Sequence, residues 1–319
     1  MKKEFHYEMG ISMKYVLTVT LNPCIDRTMY FSQFQQGATN YVDNIMEEAA
    51  GKGINTAIAL AHIGVPVKAT GFAREEDKKC LYEKLEAERI PYAFVELPGR
   101  MRVNQKLFDK STCEMTECNE RGQEVSVEDV DRMLALLEKE LEKASILVLS
   151  GSVPPGVESD LYGKMIGMAK AKKVLTVLDA SGKLLLEGCK EKPYLIKPNQ
   201  DEFRAAFLLG MDMFSELCQK DIICEQQMIN TATELVNSGI AYVCISLGAD
   251  GMLLVDNKEA KKYPAIPAEV KSLQGAGDAM VAGLCKAIYE KEETKMAEYA
   301  LKMAHSTISL PGSQMGDLK

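Results

Sequence analysis

The stretch SLQGAGDAMVAG, residues 272–283, decides how the rest of the chain is read. Gly275 and Gly277 match the opening of a G-x-G-x-x-G dinucleotide fingerprint, but Met280 stands where the third glycine belongs. A dinucleotide fold also carries its fingerprint after the first strand, whereas this stretch lies in the C-terminal third. No G-x-x-x-x-G-K-[S/T] run occurs in the chain, so a P-loop is absent by spelling. What remains is a glycine turn opening onto DAMVAGLCKAIYE, an apolar helical stretch. A helix N-terminus presents unpaired N–H groups and a positive dipole end, so an anion is its natural guest. Asp278 falls in the first turn. A carboxylate there can stabilise the helix start, or act as a general base beside phosphoryl oxygens resting on the amides of Ala276 and Gly277. The stretch alone leaves both readings open.

Upstream, short β-branched runs alternate with amphipathic helical stretches. YVLTVTLN (15–22) reads as a buried strand, and INTAIALAHIG as a helix ending at Gly64. ASILVLSG, KKVLTVLD, PYLIKPN and AYVCISLG are strand-like, and each precedes a helix candidate. This alternation predicts an α/β fold with a mostly parallel sheet covered on both faces. Ligands on such sheets bind beyond the carboxyl ends of the strands. Two segments break the pattern: residues around 27–47 and 101–118 alternate like strands, as in MRVNQKLFD. They are expected to form a small sheet projecting as a lid, over approximately 24–48 and 100–118. No Pro/Gly-rich linker divides the chain, so residues 13–319 read as one domain. The start, MKKEFHYEMGIS (1–12), lacks a signal-peptide core and reads as a leader or tag-like tail.

Composition narrows the function classes. A net charge of −8 argues against charge-driven binding to nucleic acid or acidic membrane. No apolar run approaches the roughly 18 residues of a bilayer span. The nine cysteines form no CxxC pair, and several lie inside apolar runs, as Cys244 and Cys285 do. They read as buried free thiols of a cytoplasmic protein. With only His6, His62 and His305, a histidine mechanism is poorly supported; His62 reads as structural.

Other polar residues sit where chemistry can be done. AAGKGIN (49–55) is a second glycine turn opening a helix, with Lys52 between two glycines and Asn55 beside it. Lys52 is either a solvated loop lysine or a phosphate or sugar contact. TLNPCID places Asp26 just past the first strand, as a turn residue or an acceptor for sugar hydroxyls. Arg102 offers a forked donor suited to phosphate, and Lys52 a point charge.

AAGKGIN, SGSVPPG, KPNQDEF, SLGADG and GAGDAMVAG, in this order, resemble the ribokinase-like, phosphofructokinase-B type carbohydrate kinases. The resemblance runs from about Met13 to near the C-terminus and is nearest to the 1-phosphofructokinase branch, with tagatose-6-phosphate kinase a near relative. It implies a three-layer α/β/α core with a small β-sheet lid, ATP and Mg2+ as cofactors, and a homodimer joined through the lid sheets. By this resemblance Asp278 is the catalytic base, with the amides of Gly275, Ala276 and Gly277 forming the anion hole. Asp26, Gly51 and Asn55 match positions that hold sugar hydroxyls, and Lys52, Arg102 and Ser152 match positions near the sugar phosphate. Lys197 matches a nucleotide-side lysine, Asn199 and Glu202 residues that act on magnesium through water. Ser246, Gly248 and Gly251 match the ATP-binding loop. The implied reaction is ATP-dependent phosphorylation of fructose 1-phosphate at C6. Tagatose-6-phosphate kinase is the alternative, and a catalytically silent sugar-phosphate sensor the alternative from another class. Three departures stand out: Leu273-Gln274 replaces the usual Thr-Val before GAGD, the sequence ends at SLPGSQMGDLK without the further helix relatives usually carry, and Cys24 stands where a small apolar residue is common, read as a neutral change with oxidation sensitivity beside Asp26 as the alternative.

Overall fold

Val16, Ile146 and Val148 point to one side of a central sheet, while Leu17, Val19, Leu147 and Leu149 point to the other. A period of two with apolar residues on both faces demands a helical layer on each side. The structure, a computed structural model describing residues 14–208 and 225–318, has that arrangement. The leader-like residues 1–12 lie outside the described residues.

The chain opens with β1 (Tyr15–Thr20), β2 (Cys24–Phe31), β3 (Asn44–Ala50) and α1 (Lys52–His62). Then come β4 (Val67–Arg74), α2 (Lys78–Ala87), β5 (Tyr92–Leu97), β6 (Arg102–Asp109) and β7 (Glu114–Asn119). The middle of the chain forms α3 (Val127–Leu141), β8 (Ala144–Ser150), α4 (Leu161–Ala171), β9 (Leu175–Asp179) and α5 (Gly182–Lys190). It continues with β10 (Leu195–Ile196), α6 (Gln200–Phe207), α7 (Glu225–Asn237), β11 (Tyr242–Ser246), β12 (Met252–Val255) and β13 (Ala260–Tyr263). Two helices, α8 (Ala276–Glu290) and α9 (Met296–Ile308), complete the fold.

The main sheet has nine strands in the order β13-β12-β11-β10-β9-β8-β1-β4-β5. All neighbours from β11 to β5 are parallel, and β12 and β13 are antiparallel. One buried cluster joins the sheet to α1, α2, α8 and α9, and the other joins it to α3 through α7. The expected α/β/α layering holds. The strand order reverses at β1, whose neighbours are β4 and β8. Such a reversal opens a crevice at the carboxyl ends of the strands, which is where polar loops can gather.

The second sheet has the order β3-β2-β6-β7, with β2 and β6 parallel and both outer pairs antiparallel. Its strands fall within the two segments whose alternation predicted them, β3 and β7 running one or two residues further. Helix α1 starts at Lys52, two residues earlier than its apolar pattern. Gly53 permits that start, because a Cβ there would lie 2.6 Å from the Val19 carbonyl oxygen and 2.5 Å from Thr20 Oγ1. The first turn of α1 is thereby pressed against the end of β1.

Candidate active site

Asp278 is the third residue of α8, and Gly275 is the N-cap, in the left-handed conformation with φ 75°. The first intrahelical bond runs from Ala279 N to Gly275 O at 2.8 Å. The amides of Gly275, Ala276, Gly277 and Asp278 thus precede the helical ladder and form an anion cradle. The left-handed conformation favours glycine at 275; a Cβ there would lie 2.2 Å from Met315 Cε, the movable end of a flexible side chain.

Asp278 is 6% exposed, and Asn55 Nδ2 donates to its Oδ2 at 2.8 Å. The Asn55 Oδ1 atom is buried without a hydrogen bond among the described residues. Burial pushes the Asp278 carboxyl up to about 6; Lys52, the Asn55 amide and Lys197 hold it down, while Asp179 adds to the rise. A carboxylate with that titration is ionised at neutral pH and still basic enough to take a hydroxyl proton.

Asp179, the last residue of β9, is fully buried between two ammonium groups. Lys197 Nζ stands 3.2 Å from its Oδ1 and Lys52 Nζ 3.4 Å from its Oδ2, although neither oxygen has an aligned hydrogen bond. Burial opposes ionisation of Asp179, but the two lysines outweigh it and hold the carboxyl below its usual range. Lys52 Nζ is also 3.9 Å from Glu202 Oε1. Asp179 foremost, then Glu202 and Asp278, raise the Lys52 ammonium above its ordinary range against the effect of burial.

Glu202 and Asn199 form a reciprocal cap on α6. Asn199 Oδ1 accepts from Glu202 N and Glu202 Oε2 accepts from Asn199 N, both at 2.8 Å. Such a cap is worth about 1 kcal/mol to the helix. It also fixes the Glu202 carboxylate with Oε1 turned toward Lys52. Ser246 ends β11 beside Asn199, and the turn beyond it is closed by Leu247 N donating to Gly251 O and Gly251 N donating to Gly248 O.

A cavity of about 220 Å3 at the strand reversal is lined by Gly51, Lys52, Arg102, Ser152 and Glu202, among others. Arg102 Nε donates to Asn22 O, and its Nη1 to Asn104 Oδ1 and Glu120 O; its Nη2 has no protein hydrogen bond among the described residues. Ser152 Oγ accepts from Asn22 Nδ2 at 3.2 Å. Gly248 and Gly251 do not line this cavity. A second cavity, of about 510 Å3, lies between α9 and the loop entering α8, with Ile266, Lys302, His305 and Ser306 in its wall.

On the second sheet, Asp26 is 9% exposed and three protein donors hold its carboxylate, leaving acceptor capacity for one more. Lys106 Nζ reaches Oδ2 at 2.6 Å, while Asn104 Nδ2 and Cys24 Sγ reach Oδ1 at 3.0 and 3.3 Å. Burial, with the Asp26 charge next, pushes the Cys24 thiol up to about 12. Cys24 carries no thiolate at neutral pH, so oxidation through it has no nucleophile to start from.

Three residues at the site had no role in the sequence reading: Asp179, Asn104 and Lys106. Asp179 ends a strand-like run, at the end of the strand where ligands gather. Arg102, Asn104 and Lys106 alternate in MRVNQKLFD, which puts all three on one face of the strand.

Residues 19–317 match the family described as pfkB family carbohydrate kinase. The chain belongs to that family. It is 32% identical over 301 residues to 1-phosphofructokinase of Escherichia coli strain K12, covering 94% of this chain and 91% of that protein. Tagatose-6-phosphate kinase of Staphylococcus epidermidis is 29% identical over 279 residues, 87% of this chain and 86% of that one. Among solved structures, phosphofructokinase-2 from Escherichia coli superposes with a TM-score of 0.84 at 26% identity, covering 96% of each chain. The fold of this kinase is ribokinase-like. Among the described residues, no helix is long and apolar enough to cross a membrane.

Proposed function

We propose that this kinase transfers the γ-phosphoryl group of ATP to the C6 hydroxyl of fructose 1-phosphate, giving fructose 1,6-bisphosphate. The observation that carries the reading is Asp278: buried, titrating at about 6, and set behind the free amides of a helix N-terminus. In the reaction the C6 oxygen attacks the γ-phosphorus in line. The bond from phosphorus to the β,γ-bridging oxygen breaks and ADP leaves with its electrons. The hydroxyl proton passes to Asp278, while the amides of Gly275, Ala276 and Gly277 receive the phosphoryl oxygens. Arg102, Lys52 and Ser152 hold the phosphate already on the sugar. Asp26, the Gly51 backbone and Asn55 meet its hydroxyls, and the orphaned Asn55 Oδ1 supports that assignment because it needs a donor.

Lys197 and the Ser246, Gly248 and Gly251 turn would hold ATP, and the cavity beside α9 would take its nucleoside. Asp179 and Glu202 present carboxylate oxygens near the transfer point, yet both already face ammonium groups. Among the described residues no three acidic, histidine or cysteine side chains gather as a metal site. This donor set fits a magnesium ion that arrives on the nucleotide phosphates and meets Glu202 through water, with Asn199 fixing the carboxylate. Bound there, magnesium would neutralise charge on the transferring phosphates. The described cysteines are all free, which supports a reducing, cytoplasmic setting. The second sheet acts as the lid, and a homodimer joined through it is part of the same reading.

A panel of fructose 1-phosphate, tagatose 6-phosphate and fructose 6-phosphate, compared by kcat/KM, tests the substrate. Tagatose 6-phosphate as the best substrate would reassign it. Asp278→Asn should lower kcat by about 10²–10⁴-fold while leaving sugar-phosphate binding in place. Near-normal turnover would remove Asp278 as the base. Sugar-phosphate binding by folded wild-type protein without ATP turnover would make it a sensor.

A further inference from the structure

Lys106 is 6% exposed, and a lysine that deep must be fully partnered or it destabilises the fold. Its two partners belong to different parts of the molecule. On the second sheet it donates to Asp26 Oδ2 at 2.6 Å, and across to the main body it donates to Gln274 Oε1 at 3.0 Å. Gln274 is the residue immediately before Gly275, the N-cap of the anion cradle. Valine, usual at that position by the resemblance, has no oxygen to accept this bond.

We infer that Lys106 is a positioning residue that fastens the second sheet to the phosphate cradle through Gln274, and that this fastening sets the affinity for the sugar phosphate. The inference rests on the kinase reading given above. Two geometric facts make the link specific. First, Asn104 and Lys106 take one oxygen each of Asp26, so the carboxylate is fixed and cannot swing toward another cation. Second, Arg102 begins the same strand, lies on the same face and bonds Asn104. One strand therefore joins the Arg102 guanidinium at the sugar-phosphate cavity to the Lys106 ammonium at the cradle. Loosening the Lys106 end frees the strand that carries Arg102 and with it the closure over the sugar. The chemistry itself, proton transfer to Asp278, does not pass through Lys106.

The test is a double-mutant cycle on the intact kinase with Lys106→Met and Gln274→Val. Gln274→Val removes only the acceptor and is the variant that keeps the fold in reserve. It should raise KM for the sugar phosphate by about three- to tenfold with kcat within about twofold, the scale of one ordinary hydrogen bond lost. Lys106→Met should raise KM further, and the double variant should be no worse than Lys106→Met alone. Gln274→Glu, which keeps an acceptor, should retain wild-type KM. An unchanged KM in Gln274→Val, or strictly additive effects, would overturn the inference. A second readout needs no substrate. Amide hydrogen exchange of the free protein should show residues 102–109 and 271–277 losing protection together in Gln274→Val. Loss confined to 271–277 would equally overturn it, and this outcome stands whichever sugar phosphate proves to be the substrate.

Discussion

Burial moves the titration of Asp278 up to about 6, and the nearby lysines and the Asn55 amide keep it from rising further. Above that pH the carboxylate is ionised, as the proposed base role requires; as pH falls through 6 it takes a proton and can no longer accept one. The acid limb of kcat/KM should therefore bend near pH 6, and a limb that bends only near 4 would show that another group governs it. Linkage gives the same shift a second consequence. Because the folded value lies above the ordinary one of 3.8, ionised Asp278 costs stability at neutral and alkaline pH. That cost is fully developed above about 6, shrinks between 6 and 3.8, and vanishes below. The Asp278→Asn variant should accordingly be more stable than wild type by about 1–3 kcal/mol at pH 8. The gap should close in acid, as followed by urea denaturation at several pH values.

At the scale of elements, three helix starts and one strand place most of the side chains of the proposed site. Helix α1 brings Lys52 and Asn55, α6 brings Glu202, α8 brings Asp278, and β6 brings Arg102, Asn104 and Lys106. Gly53 is where α1 touches β1 backbone to backbone, so it offers a clean test of placement. Gly53→Ala should destabilise the fold by about 1–3 kcal/mol, because its neighbours are a carbonyl and a β-branched side chain that cannot retreat. Turnover should fall with it, since Lys52 and Asn55 ride on the displaced turn. Unchanged urea stability would show that α1 can shift freely.

The glycine turns, the helix starts and the alternating second sheet were all legible in the sequence, because each has a local spelling. The ion pairs were not. Asp179 meets Lys52 and Lys197 only because β9 and β10 end side by side and the start of α1 lies against them, and no local pattern records that. Lys106 was half legible: period two puts it on the Arg102 face, but its bond to Gln274 spans 168 residues. For the same reason Gln274 looked like a disturbance in the motif until its partner was located. Glu202 was legible in kind, yet the reciprocal cap that aims its carboxylate emerged only from the fold.

At the scale of the molecule, the second sheet projects an apolar outer end. Thr28, Tyr30, Met46, Phe108 and Met115 share the face that carries Asp26 and Lys106 nearer the body. Met46 is 54% exposed and Met115 39% exposed, while Tyr30 and Phe108 pack edge to face between them. Exposed apolar residues grouped at a sheet end are a cost that pairing with a second copy removes. Wild-type protein should sediment as a dimer at micromolar concentration, and joint Met46→Lys and Met115→Lys substitution should give monomers. A monomeric wild type would count against the paired arrangement.

The hydrogen bond from Asn55 to Asp278 joins residues 223 positions apart, and Tyr289 reaches back to Lys14 over 275. Contacts of such separation form late, after the intervening chain has found its place. During synthesis the strands and loops proposed to meet the sugar emerge before α8, the helix that carries the proposed base. A ribosome-bound chain short of α8 has the sugar side of the site but neither Asp278 nor its cradle. On the proposed assignment phosphoryl transfer becomes possible only once α8 has docked, which makes enzymatic activity a direct report that this helix is in place.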